Sequence, residues 1–179
     1  MTASHPLIIL RGNSGCGKTS TARLLQRQLG YGTMLVSQDV VRREMLRVKD
    51  IENNPAIQLI YDLCMYGNNV GYTVILEGIL SNKKYGAMLC RLLDDFQGEK
   101  LIYYFDVSFE ETVRRHATKP NAHEFGELEM SQWWKDQDVL NMPDEQRIGE
   151  QLSQAEIVDL IHRDVLVLSE GANTSASRM

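Results

Sequence analysis

Several things are scarce in this sequence, and each absence narrows what the chain can do. There are three cysteines, Cys16, Cys64 and Cys90, an odd number with no Cys-x-x-Cys pair. That pattern excludes a disulfide framework and a cysteine-based zinc site. The four histidines, His5, His116, His123 and His162, have no metal-ligand spacing, so a metallohydrolase is not indicated. No apolar run approaches membrane-spanning length, and no membrane partner is expected. The first six residues show no basic segment leading into an apolar one, which fits a cytoplasmic protein. Positive charge is not in excess: the net charge is -5 and the pI about 5.4, which argues against broad, non-specific affinity for nucleic acid or anionic lipid. Internal repeats, low-complexity segments and linkers are absent too.

What is present reads as one globular domain. A chain of 179 residues can bury a proper core without staples. A domain over residues 1–170 is expected, with 171–179, small and polar, as a disordered tail. Cys64 and Cys90 fall in apolar helical patterns and are expected to be buried.

The most informative stretch is Gly12-Asn13-Ser14-Gly15-Cys16-Gly17-Lys18-Thr19, which fits the phosphate-binding loop, glycine, four residues, then Gly-Lys-Thr. Its context fits as well. The apolar run Leu7-Ile8-Ile9-Leu10 precedes it as a strand, and Ala22, Leu24, Leu25 and Leu29 follow at helical spacing. Glycines there let successive N–H groups converge on phosphate oxygens, and the helix N-terminus adds its free donors. Residues 12–20, ending with Ser20, are therefore expected to bind a nucleoside triphosphate. Lys18 would reach the β and γ phosphates and Thr19 would ligate Mg2+. No Asn-Lys-x-Asp guanine motif occurs, which favours ATP over GTP; Asp95-Phe96-Gln97-Gly98 closes a helix and is discounted as a GTPase motif.

Along the chain, strands and helices alternate. The first helix ends at Gly30, and Thr33-Met34-Leu35-Val36 predicts a second strand that closes in Ser37-Gln38-Asp39. A basic helix is expected over 40–49, with Val41, Met45 and Val48 on its apolar face and Arg42 and Arg43 within a turn of Asp39. A helix over 56–68 precedes the continuous apolar run Tyr72-Thr73-Val74-Ile75-Leu76, a central strand ending in Glu77-Gly78. A helix over 82–95 precedes the fourth strand, 101–107. Ser108 and Glu111 form a capping box for a helix carrying Arg114 and Arg115. Residues 114–137 read as a lid, with one ring of the Trp133-Trp134 pair expected in the core. Val165-Leu166-Val167-Leu168 predicts a fifth strand. The fold class is α/β: a three-layer, doubly wound, mostly parallel five-stranded sheet, led by its phosphate loop.

That topology collects Lys18, Thr19, Asp39 and Glu77 at the strand ends where such sheets bind ligands. A triphosphate cradle, a carboxylate for the acceptor hydroxyl, and cations to offset developing charge are the parts of a phosphoryl-transfer site. Lys18, Asp39, Arg114 and Arg115 are the candidate catalytic residues. Asp39, Arg42, Arg43 and Glu77 are the candidates for the acceptor.

Three stretches together carry a family resemblance: the phosphate loop, the Ser37-Gln38-Asp39 strand end followed by arginine, and Asp106-Val107-Ser108-Phe109-Glu110-Glu111-Thr112 leading to Arg114-Arg115-His116. The chain up to about residue 137 resembles the small P-loop kinases of the polynucleotide kinase, zeta toxin and chloramphenicol phosphotransferase group. The resemblance implies that Asp39 matches the acceptor-activating aspartate, that the arginine after it helps place the acceptor, and that Arg114 or Arg115 matches the lid arginine that meets the nucleotide phosphates. The sequence departs from many phosphate-loop enzymes at the third strand, where Glu77 stands in place of aspartate; magnesium or the acceptor pocket is its expected partner.

Three functions follow in order. The first is an ATP- and Mg2+-dependent kinase acting on a hydroxyl of a small molecule. The second is a polynucleotide 5′-hydroxyl kinase with nucleic acid as substrate, for which Arg42, Arg43, Arg47 and Lys49 would line a groove. The third is an ATP-dependent switch. Oligomeric state and any antitoxin-type partner are not legible.

Overall fold

The computed structural model describes residues 5–117, 126–142 and 144–176. Its centre is β1 (Leu7–Gly12), whose six residues are all buried. Leu7 and Ile9 enter one core and Ile8 and Leu10 the other, the period-two alternation of a strand covered on both faces. Flanking it are β2 (Thr33–Ser37), β3 (Thr73–Gly78), β4 (Lys100–Asp106) and β5 (Glu145–Gly149), in the order β2-β3-β1-β4-β5 with every pairing parallel.

Two helical layers cover this sheet. On one face α2 (Ala56–Asn69) and α3 (Asn82–Asp95) bring Ile60, Cys64, Tyr85 and Leu89 against Leu7, Ile9 and Leu76. On the other, α1 (Lys18–Leu29) and α6 (Gln154–Ala176) bring Ala22, Leu25, Ile157 and Ile161 against Ile8, Leu10 and Phe105. Each is an amphipathic helix turning its apolar stripe inward. Two shorter helices, α4 (Phe109–Ala117) and α5 (Glu127–Trp133), follow β4. Among the described residues no helix is long and apolar enough to cross a membrane.

The fold class and the five-strand count match expectation, but the fifth strand is elsewhere. Val165–Leu168 lie within α6, where Ile157, Ile161 and Val165 recur every four residues on the buried face while Leu166 and Val167 are exposed. Helical periodicity extends through that apolar run and decides it. The actual edge strand, Glu145–Gly149, buries only Ile148, so no apolar run announces it. Helix α6 also reaches Ala176, past the Gly171 at which a tail was expected; residues 177–179 lie outside the described residues.

Three smaller corrections concern local geometry. The basic helix is a single π-type turn, Val40–Met45, because Arg47 adopts φ 54 and reverses the chain; Met45 is exposed. Cys90 faces solvent, one residue off the α3 stripe of Tyr85, Met88, Leu89 and Leu92, whereas Cys64 is buried and burial pushes its thiol up to about 12. Neither tryptophan is in the core: Trp133 is exposed, and Trp134 packs edge-on against Phe109 at 5.2 Å. Of the expected lid, residues 118–125, including His123, lie outside the described residues.

Candidate active site

The phosphate loop joins the buried centre of the sheet to α1, and its shape is set by close packing. Gly15 has φ +86, and a Cβ there would meet the Thr112 carbonyl of α4 at 2.9 Å. Gly17, with φ +104, occupies the position before α1 and leaves that helix's first N–H groups pointing outward. Thr19 and Ser20 face the opening and Lys18 is buried. The Lys18 ammonium donates to the Asn13 carbonyl at 2.6 Å, so it is folded across the loop it would share with a phosphate. Asn13 itself is clamped: its amide donates to the Lys135 carbonyl at 2.7 Å, and its Oδ1 accepts from the Lys135 N–H at 2.9 Å.

Glu77 ends β3 directly beside the loop, in register with Leu10 of β1 and Ser37 of β2. It is only 2% exposed. The Thr19 hydroxyl donates to its Oε2 at 3.0 Å and the Ser37 hydroxyl to its Oε1. Thr19, Glu77 and Ser37 thus form an all-oxygen group at the loop's mouth, the donor chemistry a hard divalent cation prefers. With one carboxylate it suits Mg2+, which keeps most of its waters and binds through phosphates, better than a closed metal cage; among the described residues no three His, Cys, Asp or Glu side chains gather to form such a cage.

A cavity of about 990 Å³ opens from Lys18 and Thr19, past Glu77, to Asp39. Asp39 stands where β2 gives way to the π-type turn. It makes no side-chain cap bond, so the carboxylate is free of the helix-capping role open to an aspartate there. Its Oδ1 takes Arg42 Nη2 at 3.0 Å and Arg43 Nε at 3.2 Å. Oδ2 has no partner among the described residues. The cavity's far wall holds Lys84, whose ammonium pairs with Asp50 at 2.7 Å, and Trp133. Tyr85 braces the same Asp50 through its hydroxyl at 2.9 Å, and burial pushes that phenol up to about 12.

The two arginines of α4 part company. Arg114 is largely exposed and bound to Glu111 through two nitrogens. Arg115 also pairs with Glu111, but its Nη1 donates to the Cys16 carbonyl of the phosphate loop at 3.2 Å and its Nη2 to the Glu150 carbonyl at 3.1 Å. Held by Arg114 and Arg115, the Glu111 carboxyl drops to about 2. Arg114, Arg115, Ser20, Glu150 and Gln154 border a second cavity of about 550 Å³, which meets the first at Gly15, Gly17 and Ser20 and does not include Asp39.

One buried feature was invisible in the sequence. Arg11, fully buried on β1, donates to Glu145 Oε1 at 2.8 Å, Asp138 Oδ2 at 3.0 Å and the Leu80 carbonyl at 3.1 Å. It lies over the Tyr104 ring at 5.4 Å. The same Asp138 accepts from the N–H of Asn82. Arg11 therefore ties β1, β5 and the strap 135–142 together under the phosphate loop, and the strap supplies Lys135 to Asn13. An arginine at a strand end carries no motif, and partners more than 120 positions away give no local signal.

Known proteins share this fold. The AAA domain family matches residues 7–143. A Chloroflexus aurantiacus protein structure is similar over 94% of this chain and 99% of its own, with 17% identity and a TM-score of 0.70. The Mycobacterium tuberculosis APS kinase CysC, in complex with AMPPNP and APS, is similar over 93% of this chain and 98% of its own, with 19% identity and a TM-score of 0.66. A gluconokinase from Sinorhizobium meliloti covers 98% and 99% with 14% identity and a TM-score of 0.64. No curated protein matches by sequence.

Proposed function

The chain belongs to the AAA domain family, and from that premise we propose that it is an ATP- and Mg2+-dependent kinase that phosphorylates a hydroxyl of a small molecule. One observation carries the reading. A phosphate loop with Lys18 and Thr19, a buried Glu77 bonded to Thr19, and an exposed Asp39 carboxylate open into a single cavity. A switch has no use for the last of these, a base beside an acceptor-sized space. Two proteins of the same fold are an APS kinase solved with AMPPNP and APS and a gluconokinase, which supports a small acceptor.

In this reading the phosphate loop N–H groups and Lys18 hold the triphosphate, with Lys18 exchanging the Asn13 carbonyl for phosphate oxygens. Thr19 would hold Mg2+, with Glu77 fixing the hydroxyl's orientation from behind; when bound, the cation offsets phosphate charge. Arg115 lies against the loop at Cys16 and would meet the nucleotide phosphates there, offsetting their charge, while Arg114 is largely exposed and paired with Glu111. Arg42 and Arg43 orient Asp39 through Oδ1, leaving Oδ2 to accept the proton of the acceptor hydroxyl. The acceptor oxygen then forms its bond to the γ-phosphorus as the bond to the departing ADP oxygen breaks. The cavity behind Ser20, Arg115 and Gln154 is the space left for the adenosine.

The test is transfer of label from γ-labelled ATP to a panel of sugars, sugar acids, nucleosides, nucleotides, phenicol and aminoglycoside antibiotics, and a 5′-hydroxyl oligonucleotide. Label on a small molecule is the expected result. Label on the oligonucleotide would make this a polynucleotide kinase, and label released only as phosphate would favour the switch. Lys18→Ala should remove transfer by losing on the order of 3 kcal/mol or more of barrier stabilisation. Asp39→Asn should bind ATP normally and transfer about 10²- to 10⁴-fold more slowly; wild-type transfer by Asp39→Asn would refute the base assignment.

A further inference from the structure

Helix α1 lines part of the cavity that holds Asp39, and two of its residues have no role in the scheme above. Arg23 and Arg27 are one helical turn apart, on the same face, and both line the cavity that holds Asp39. Neither has a hydrogen-bond or ion-pair partner among the described residues. Three other cations of the cavity are compensated: Arg42 and Arg43 share Asp39, and Lys84 has Asp50. Lys135, also on the cavity, keeps its ammonium unpaired among the described residues. Apart from Lys18 and Glu77, which the nucleotide and its metal claim, the cavity has six cations, Arg23, Arg27, Arg42, Arg43, Lys84 and Lys135, against the carboxylates of Asp39 and Asp50. A chain of net charge -5 has gathered a positive excess at one place.

Two arginines at i and i+4 repel by a few tenths of a kcal/mol on an isolated helix, so the pair does not stabilise α1. Their reach fits an acceptor. Along α1, Arg23 and Arg27 lie about 6 and about 12 Å beyond Thr19, and helical side chains lean back toward the N-terminus. Their guanidinium groups therefore come within the length of a nucleotide or sugar acid from the metal site. Leu24, partly exposed between them, gives the same wall an apolar contact.

We propose that the acceptor carries an anionic group of its own, a phosphate, sulfate or carboxylate, and that Arg23 and Arg27 bind it while the hydroxyl lies at Asp39. This rests on the kinase reading for the hydroxyl. The anion site itself does not need it. Planar guanidinium forks suit such oxoanions, and two of them explain an excess of charge that a neutral acceptor would leave uncompensated.

Two measurements test it. In the transfer assay, acceptors are compared in matched pairs that differ by the anion: gluconate with glucose, a nucleoside phosphate with its nucleoside. The anionic member should be the substrate. The R23Q/R27Q variant should raise its KM about 10- to 100-fold with kcat within about threefold, as loss of charge-assisted bonds to a remote group predicts. R23K/R27K should recover part of that loss. Equal use of the neutral member, or an unchanged KM in R23Q/R27Q, overturns the proposal. A 5′-hydroxyl oligonucleotide as the preferred anion would put a phosphodiester at the arginines, and a salt slope of several ions would separate it from a small acceptor. Calorimetry decides the case in which no acceptor turns over. Inorganic pyrophosphate is titrated into protein saturated with Mg2+ and AMPPNP. One added site, weakened at least about tenfold in R23Q/R27Q, supports the anion site; no added site, or one indifferent to the variant, overturns it. Failure of AMPPNP to bind would instead count against the kinase reading, and pyrophosphate alone would then report on the arginines.

Discussion

Replacing Arg11 by methionine keeps the length of a fully buried side chain and removes its charge. Arg11 sits between Glu145, whose side chain is 3% exposed, and Asp138, which is 19% exposed. After the change Asp138 can rehydrate by a small rotation, but Glu145 is left as a buried carboxylate that has lost its cation. Breaking a buried ion pair from one side costs about 3–5 kcal/mol, because the surviving charge is uncompensated. In a chain of this size each kcal/mol lowers Tm by roughly 2–4 °C, so Arg11→Met should melt about 6–20 °C below wild type. The Leu80 carbonyl loses its donor as well, which places the effect in the upper part of that range. The informative comparison is the double variant R11M/E145L, which removes the stranded charge together with its partner. It should regain at least half the lost stability, since an apolar pair of similar volume is close to neutral relative to a buried ion pair. Calorimetric melting of the three proteins is the assay, with AMPPNP titration beside it: release of the strap 135–142 should free Asn13 and weaken nucleotide binding in R11M. A Tm loss below about 3 °C, or a double variant no better than the single one, would refute the reasoning.

Other consequences are smaller in scope. Glu77→Gln keeps a hydrogen-bond acceptor for Thr19 but loses the charge behind it; the Mg2+ concentration for half-maximal transfer should rise about tenfold or more, and an unchanged requirement would separate Glu77 from the metal. Arg115→Gln should slow transfer on the order of 10²-fold, whereas Arg114→Gln should stay near wild type, because among the described residues Arg115 donates to the phosphate loop while Arg114 donates to Glu111; equal rates for both would contradict the assignment. The Glu111 carboxyl is held at about 2, below its ordinary value of 4.5, first by Arg114 and then by Arg115. A lowered carboxyl stabilises the fold above its unfolded pKa and loses that contribution as pH falls through the folded one. Denaturant midpoints measured from pH 5 down to pH 2.5 should therefore fall less steeply in Glu111→Gln than in wild type. Parallel curves would show that the pair does not survive in solution.

How much was legible follows from how local each signal is. The phosphate loop and the strand ends at Asp39 and Glu77 are contiguous runs whose residue types state their chemistry, and the parallel sheet places them together. The choice between Arg114 and Arg115 was not legible, because it depends on which side of α4 meets Cys16. The fifth strand was misplaced because an edge strand with one buried residue carries no hydrophobic period, while an apolar run inside α6 imitates one. Arg23 and Arg27 carry no motif, and only the placement of α1 brings them into one cavity with Asp39. By itself the sequence determined the α/β class, the nucleotide cradle and the edge of the sheet where chemistry can occur, since these rest on backbone conformation and hydrophobic period. Only the tertiary structure decided which hydroxyls Glu77 accepts from, which arginine bonds to the phosphate loop, how Arg11 holds the strap 135–142, and where positive charge accumulates. Each of those depends on contacts between residues far apart in the chain, and spacing along the sequence carries no information about them.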